Sequence, residues 1–303
     1  MKNLEYFSNW DCNNCNTYTP LPTFPPSTPY PLPCRSYQEL NFPLTPIVAI
    51  SNGKVVYTQY PWYYRQDNLC FGCPPTEVDD YIQFTGISNT SGNYIVLDVQ
   101  NYNISWSLAL TWVAVVQFTK QGAWQRLFDF GNGAARDNVL FTITDQNKYR
   151  WQWYIPTGEY EYPQSIFLDS DIEAVYDRPR LFIGKLFADD LESTLSLEIR
   201  EMTGQTIYKN TQKNPPNPTW NTSLSRSSNY VGKSNWINDP YSNMKLYHFY
   251  FYNYTIPDTD TEFGPGIETI LKHINCDNST QLRTQPLPHE PFTQQKYKQI
   301  KYH

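Results

Sequence analysis

Hydrophobic and polar positions alternate along much of this chain with a period of two. The clearest case is "TLSLEIRE", where Leu195, Leu197 and Ile199 face one way while Ser196, Glu198 and Arg200 face the other. Successive side chains of a strand point to opposite faces, so this pattern predicts a strand with one buried side. The same reading covers "YIQFTG", "NYIVLDVQ", "WQRLFDF", "NVLFTIT" and "YRWQWYI", and, after a longer loop, "RPRLFIGKLF", "QTIYKN", "NYVGKS" and "MKLYHFYFY". "WSLALTWVAVVQF", ending at Phe118, is apolar on both faces, which predicts a strand covered on both sides. "PIVAISNGKVVYTQY" puts Asn52-Gly53 between two apolar runs, the strongest short-range signal for a β-hairpin. About eleven short strands with turn residues between them predict an all-β sandwich over residues 81–256. One short helix is predicted, in "GPGIETILKHINC", Gly264 to Cys276.

The flanks read differently. Residues 1–45 form an arm in which "PLPTFPPSTPYPLP" carries seven prolines in fourteen residues. Proline lacks the N–H and fixes φ, which excludes helix and central strand and favours an extended strap or spacer. Residues 46–80 hold the hairpin and a cysteine-containing loop, and residues 257–303 hold the short helix and an extended polar tail. Aromatic residues make up 17% of the chain, which suits half-buried strands. A net charge of -6 leaves no basic footprint for nucleic acid. No apolar run approaches the ~20 residues of a membrane span, and "MKNLEYFSNWDCNNC" lacks the apolar core of a signal peptide. Synthesis in the cytoplasm is therefore the expectation.

"RLFDFGNGAARDNVLF" from Arg126, a Trp-rich strand "YRWQWYI" and a closing "NYVGKSNWINDPYSNMKLYHFYFYN" together carry a resemblance. The segment 81–256 resembles the concanavalin A-like lectin/glucanase sandwich, a jelly roll, in its laminin G-like form. The Asp129-Phe130-Gly131 triplet is shared with protein kinases, but the glycine-rich loop, strand lysine and His-Arg-Asp loop of a kinase are missing. In the resembled fold "DFGNG" ends one strand and turns into the next. That implies φ > 0 at Gly131 and Gly133, with Asp129 capping the turn through backbone N–H groups.

The resembled fold also includes glycoside hydrolases with a Glu-x-Asp-x-Glu strand. The nearest stretch here, "LDSDIEAV", offers Asp169, Asp171 and Glu173 but has Asp in place of the first Glu. It falls in the predicted loop before "RPRLFIGKLF", so a solvated acidic loop is expected and no catalytic residue is assigned. Trp151, Trp153, Trp220, Trp236 and Tyr241 are candidates for a sugar platform or for core and interface filling. Trp236, Asn238, Asp239 and Tyr241 form the candidate glycan set, with Asn238 and Asp239 able to meet hydroxyls or a calcium ion. Cys12-x-x-Cys15 and Cys70-x-x-Cys73 could clip the arm to the second loop, either as a four-thiolate zinc site or as disulfides, with unrelated free thiols the remaining alternative.

The expectation is a non-enzymatic structural protein: a lectin-like β-sandwich scaffold whose arms bind neighbouring protein subunits, with the virion of a large virus, as a minor capsid protein, the setting that fits. A glycan-binding attachment protein is the alternative, and a glycoside hydrolase-related protein the second alternative.

Overall fold

The computed structural model describes residues 46–58, 62–67, 76–78, 80–97, 109–154, 165–188, 192–214, 226–260 and 266–271. The Pro-rich arm, Trp220, the tail and the four cysteines Cys12, Cys15, Cys70 and Cys73 lie outside the described residues.

The chain is all-β. Its strands are β1 (Val48–Ser51), β2 (Lys54–Thr58), β3 (Trp62–Asp67), β4 (Thr76–Val78), β5 (Tyr81–Phe84), β6 (Gly92–Leu97), β7 (Ala109–Phe118) and β8 (Arg126–Gly131). They continue with β9 (Val139–Ile143), β10 (Lys148–Tyr154), β11 (Ser165–Glu173), β12 (Arg180–Ala188), β13 (Ser193–Arg200), β14 (Thr206–Asn214), β15 (Ser228–Val231) and β16 (Met244–Tyr252). The first sheet runs β14-β13-β12-β7-β16-β1-β2, with β5 also beside β16 and β4 beside β5. The second runs β11-β10-β9-β8-β15-β6-β3. Every strand pair is antiparallel, and the two sheets stack as a β-sandwich.

Asn52 and Gly53 make the β1–β2 turn with φ of 47° and 69°, the left-handed pair that matches the twist of a hairpin. This hairpin extends the first sheet through β1–β16 pairing, while β3 extends the second through β6. The acidic stretch of Asp169, Asp171 and Glu173 corrects its expectation. It is not a loop but the end of β11, recruited by pairing with the Trp-rich β10. A bulge shifts that register, so Lys148 faces Glu173 while Arg150 faces Asp169.

Aromatic side chains from both sheets fill the space between them. Trp112 on β7 meets Phe141 at 4.8 Å, Phe128 at 5.4 Å and Trp151 at 5.6 Å between ring centroids. Such rings contribute packing geometry beyond their buried area. Trp151 and Trp153, candidates for a sugar platform, are fully buried here. The room for Trp112 comes from Gly184, its register partner on β12, where a Cβ would stand 2.2 Å from the indole.

β7 is covered on both faces, as its sequence predicts. Trp112, Ala114 and Val116 enter the inter-sheet core, while Val113 and Val115 meet a second apolar cluster on the outer face of the first sheet. That cluster is closed by Ile256 and by Ile267, Ile270 and Leu271 of the helical turn at 267–271, all that the described residues show of the predicted helix. Polar groups tie the same segment down: Lys185 Nζ donates to Asp258 at 2.5 Å, and Arg200 Nη2 donates to Glu268 at 2.7 Å. Glu198, on the polar side of "TLSLEIRE", is nevertheless buried, because Arg200 and Lys209 close over it at 2.5 and 2.9 Å.

Gly184→Ala should cost about 1–3 kcal/mol by overpacking against Trp112, read as a lower Tm. An unchanged Tm would mean that the indole can yield. A second expectation concerns acid. Burial pushes the Glu198 carboxyl up, but hydrogen bonds from Arg200 and Lys209 more than reverse this; Lys185 holds Asp258 below its ordinary range. Both pKa values are depressed by folding, so the stabilisation is complete above the usual carboxylate range near pH ~4 and is lost as pH falls through the folded values. Hydrogen exchange at residues 255–260 and 266–271 should therefore quicken on acidification before the inter-sheet core opens. Simultaneous loss of protection in both regions would refute this.

Candidate functional site

The site lies on the outer face of the second sheet. Phe128 and Phe130 of β8 enter the core, so Asp129 between them points outward. It is nonetheless fully buried, because the loop of residues 232–243 folds over it. Asn235 donates its backbone N–H at 2.9 Å and its side-chain amide at 2.8 Å to the Asp129 carboxylate. Asn138 donates from the other side at 2.7 Å, and Arg126 Nε stands at 3.6 Å. Burial pushes the Asp129 carboxyl up, opposed first by the Arg126 charge and then by these hydrogen bonds.

The expectation that Asp129 caps its own turn is thus corrected: it holds a loop more than a hundred residues away in sequence. The turn closes by other means, with Asn132 N–H donating to the Arg136 carbonyl at 2.8 Å and Arg136 N–H to Asn138 Oδ1 at 2.7 Å. Gly133 has the expected positive φ, at 111°, but Gly131 does not. Gly131 is needed instead for close approach, since a Cβ there would lie 2.3 Å from the Asn138 amide.

Outward from Asp129 runs a ladder of rings and guanidinium groups. Arg150 lies 4.2 Å from the Phe167 ring and 5.8 Å from Trp124; Arg126 lies 5.8 Å from Trp124 and 5.3 Å from Trp236; Trp236 meets Tyr154 at 5.2 Å. Trp124 is held in the left-handed region, φ 64°, with its N–H donating to the Ile143 carbonyl at 2.6 Å. A bulky residue there is strained and persists only where its surroundings impose it.

Each guanidinium also has an acid partner. Arg150 forms a bidentate pair with Asp169 at 2.6 and 2.7 Å, and Arg126 Nη2 meets Asp239 Oδ2 at 2.6 Å. Ser234 Oγ donates to the same Asp239 oxygen at 2.8 Å and accepts the Trp236 N–H at 3.0 Å, and a turn closes from Asp239 N–H to the Trp236 carbonyl. The turn is rigid. Asp239 Oδ1, on a side chain 16% exposed, and the exposed Asn238 amide have no hydrogen-bond partner among the described residues. Ile237 stands at the tip, 85% exposed.

Of the candidate glycan set, the structure therefore brings together Trp236, Asn238 and Asp239. Tyr241 is elsewhere, buried beside Tyr94 and Tyr230 around the Lys233 ammonium and resting on Gly92, where a Cβ would strike its ring at 2.3 Å. Arg126, Arg150, Trp124, Tyr154 and Phe167 were not among the sequence candidates. Only the alternating pattern of β10 marked Arg150 and Tyr154 as outward-facing. No cluster of three or more His, Cys, Asp or Glu suited to a metal occurs among the described residues, and none of their helices is long and apolar enough to cross a membrane.

No family model matches the chain, and no curated protein matches it. Among solved structures it is similar to a mutant Trypanosoma rangeli sialidase displaying trans-sialidase activity, at TM-score 0.43 and 13% identity over 76% of this chain and 33% of that one. It is also similar to the CBM40 of Ruminococcus gnavus IT-sialidase bound to α2,3-sialyllactose, at TM-score 0.40 and 14% identity, covering 59% and 92% of the two chains. The binding domain of botulinum neurotoxin DC, in complex with rat synaptotagmin II, gives TM-score 0.48 and 14% identity over 78% and 52%. This chain spans a third of the length of the sialidase. TM-scores this low carry nothing over to its chemistry.

The loop's dependence on Asn235 is testable. Asn235→Ala removes the side-chain donor to a buried carboxylate and should cost about 1–3 kcal/mol, with faster hydrogen exchange confined to residues 232–243. Unchanged exchange there would show that the backbone contact to Asp129 suffices.

Proposed function

We propose that this chain is a non-enzymatic β-sandwich module that binds a glycan on the outer face of its second sheet. The observation that carries the reading is the Trp236–Asp239 turn. It pairs a partly exposed indole with one carboxylate oxygen and one amide that have no partner among the described residues, held in place by Arg126, Ser234 and the loop's anchor on Asp129. Sugars are recognised by this combination of a flat apolar surface and a few convergent polar groups. Membership of the concanavalin A-like group, in its laminin G-like form, belongs to the same proposal, and the Arg126–Asn138 and Tyr230–Tyr252 stretches support it.

The absence of catalysis is likewise a proposal. Supporting it, the first carboxylate of the "DSDIE" stretch is tied up in the bidentate pair with Arg150.

A second reading is the assembly scaffold, a minor capsid protein of a large virus in its most specific form. One feature of the site favours it: Ile237, the most exposed large apolar side chain among the described residues, is of the kind a protein contact buries. The Pro-rich arm remains its support in sequence. Two variants separate the readings. Asn238→Ala removes a side chain with no hydrogen-bond partner among the described residues, so the fold should stand while glycan affinity on an array falls about tenfold, as expected for one lost hydrogen bond and the group it leaves unpaired. Ile237→Asp should leave glycan binding nearly intact. If no glycan binds the unaltered chain and Ile237→Asp abolishes co-assembly with a protein partner, the scaffold reading replaces the glycan one.

A further inference from the structure

We infer that the glycan face selects neutral, hydroxyl-rich saccharides and rejects sialylated or sulfated ones. This rests on the glycan reading above and narrows its ligand class. Two arginines beside a tryptophan would by themselves suit an acidic sugar, because a guanidinium binds carboxylate and sulfate oxygens in parallel pairs. Both arginines already answer to a carboxylate, and of their donors only the Nη1 side of Arg150 is left without a partner among the described residues. Arg150 spends its Nε and Nη2 donors on Asp169 at 2.6 and 2.7 Å. Arg126 is almost wholly buried, gives Nη2 to Asp239 at 2.6 Å, and gives Nη1 to the Trp124 carbonyl and to Thr142 Oγ1.

Charge leads to the same conclusion. The ladder sets two guanidinium groups against three carboxylates, those of Asp129, Asp169 and Asp239. If burial keeps Asp129 protonated the balance is zero, and if it is ionised the balance is negative; neither state leaves positive charge to spare. Further along, Lys148 Nζ donates to the Asp171 backbone carbonyl at 2.7 Å, and β11 adds the carboxylates of Asp171 and Glu173 to the same edge. An anionic ligand would have to displace an ion pair already formed at 2.6 Å and approach a chain of net charge -6. What the turn offers outward is Asp239 Oδ1, which can only accept while ionised, and the Asn238 amide, which accepts and donates. Hydroxyl groups answer both; carboxylates and sulfates answer only one and are repelled by the other.

The test is an array of matched neutral, sialylated and sulfated oligosaccharides probed with the full chain at physiological salt, where surface charge acts over ~8 Å. The expected result is binding to neutral oligosaccharides at least about tenfold tighter than to their sialylated or sulfated counterparts, a difference of about 1.4 kcal/mol. Asp169→Asn provides a gain-of-function arm. It frees Arg150 at the edge of the sheet and should bring sialylated or sulfated ligands up by about tenfold, an outcome that a misfolded variant could not produce. Preferred binding of sialylated or sulfated sugars by the unaltered chain would overturn the inference and leave the glycan reading standing. Binding of no sugar in any class would sink the glycan reading and this inference with it.

Discussion

The Asp129 carboxylate stands at the junction of the fold and the site. A carboxylate removed from water costs several kcal/mol unless its oxygens are bonded and its charge is met. Here the partners come from three places: Arg126 on its own strand, Asn138 across the following turn, and Asn235 from the loop after β15. Bringing these together determines where the loop lies, and the loop in turn carries Trp236, Asn238 and Asp239. Asp239, partly exposed, then returns to the buried Arg126 at 2.6 Å, which closes the circuit. Such networks rigidify when fully satisfied. One weak link remains, the Arg126 Nε, whose 3.6 Å to Asp129 is an ion pair but too long for a hydrogen bond.

The sandwich supplies the platform on which that circuit rests. Alternation along β8, β9 and β10 sends Phe128, Phe141 and Trp151 inward to Trp112, and by the same geometry sends Asp129, Thr142 and Arg150 outward. Thr142, buried on the outer side, takes a hydrogen bond from Arg126 and donates to the Gln125 carbonyl at 2.9 Å. The outer face is therefore a built surface: it begins with buried polar contacts and ends in a row of aromatic rings. Strain at Trp124 is compatible with this, since the ring is flanked by Arg126 and Arg150.

The opposite face of the molecule is finished in another way. The first sheet presents Val113, Val115, Ile183, Tyr250 and Tyr252 outward, too apolar to leave wet, and Ile256, Ile267, Ile270 and Leu271 cover them. Ion pairs through Asp258 and Glu268 hold the cover's polar rim. The acids of these pairs are more than half exposed, so burial of the isoleucines and Leu271 supplies most of the hold, with charge setting its position.

Much of the fold was legible in the sequence because strand alternation and turn chemistry are local. The Asn52-Gly53 hairpin, the doubly covered β7 and the inward Leu195, Leu197 and Ile199 all follow from neighbours along the chain. Gly133 belongs here too, since its positive φ is a property of its own turn. What sequence could not reach depended on which strands and side chains folding brings together, near or far in the chain. β11 looked like an acidic loop until β10 paired with it, and Glu198 looked solvated until Arg200 and Lys209 closed over it. Gly131 and Gly184 are required by side chains that approach them, not by their own backbone angles. The candidate set divided for the same reason. Trp236, Asn238 and Asp239 share one turn and stayed together, while Tyr241, only two residues on, lies against Gly92 and Tyr94. Sequence alone determined which residues alternate and where the chain turns; tertiary structure decided which buried charges meet, because that depends on contacts between residues a hundred or more positions apart.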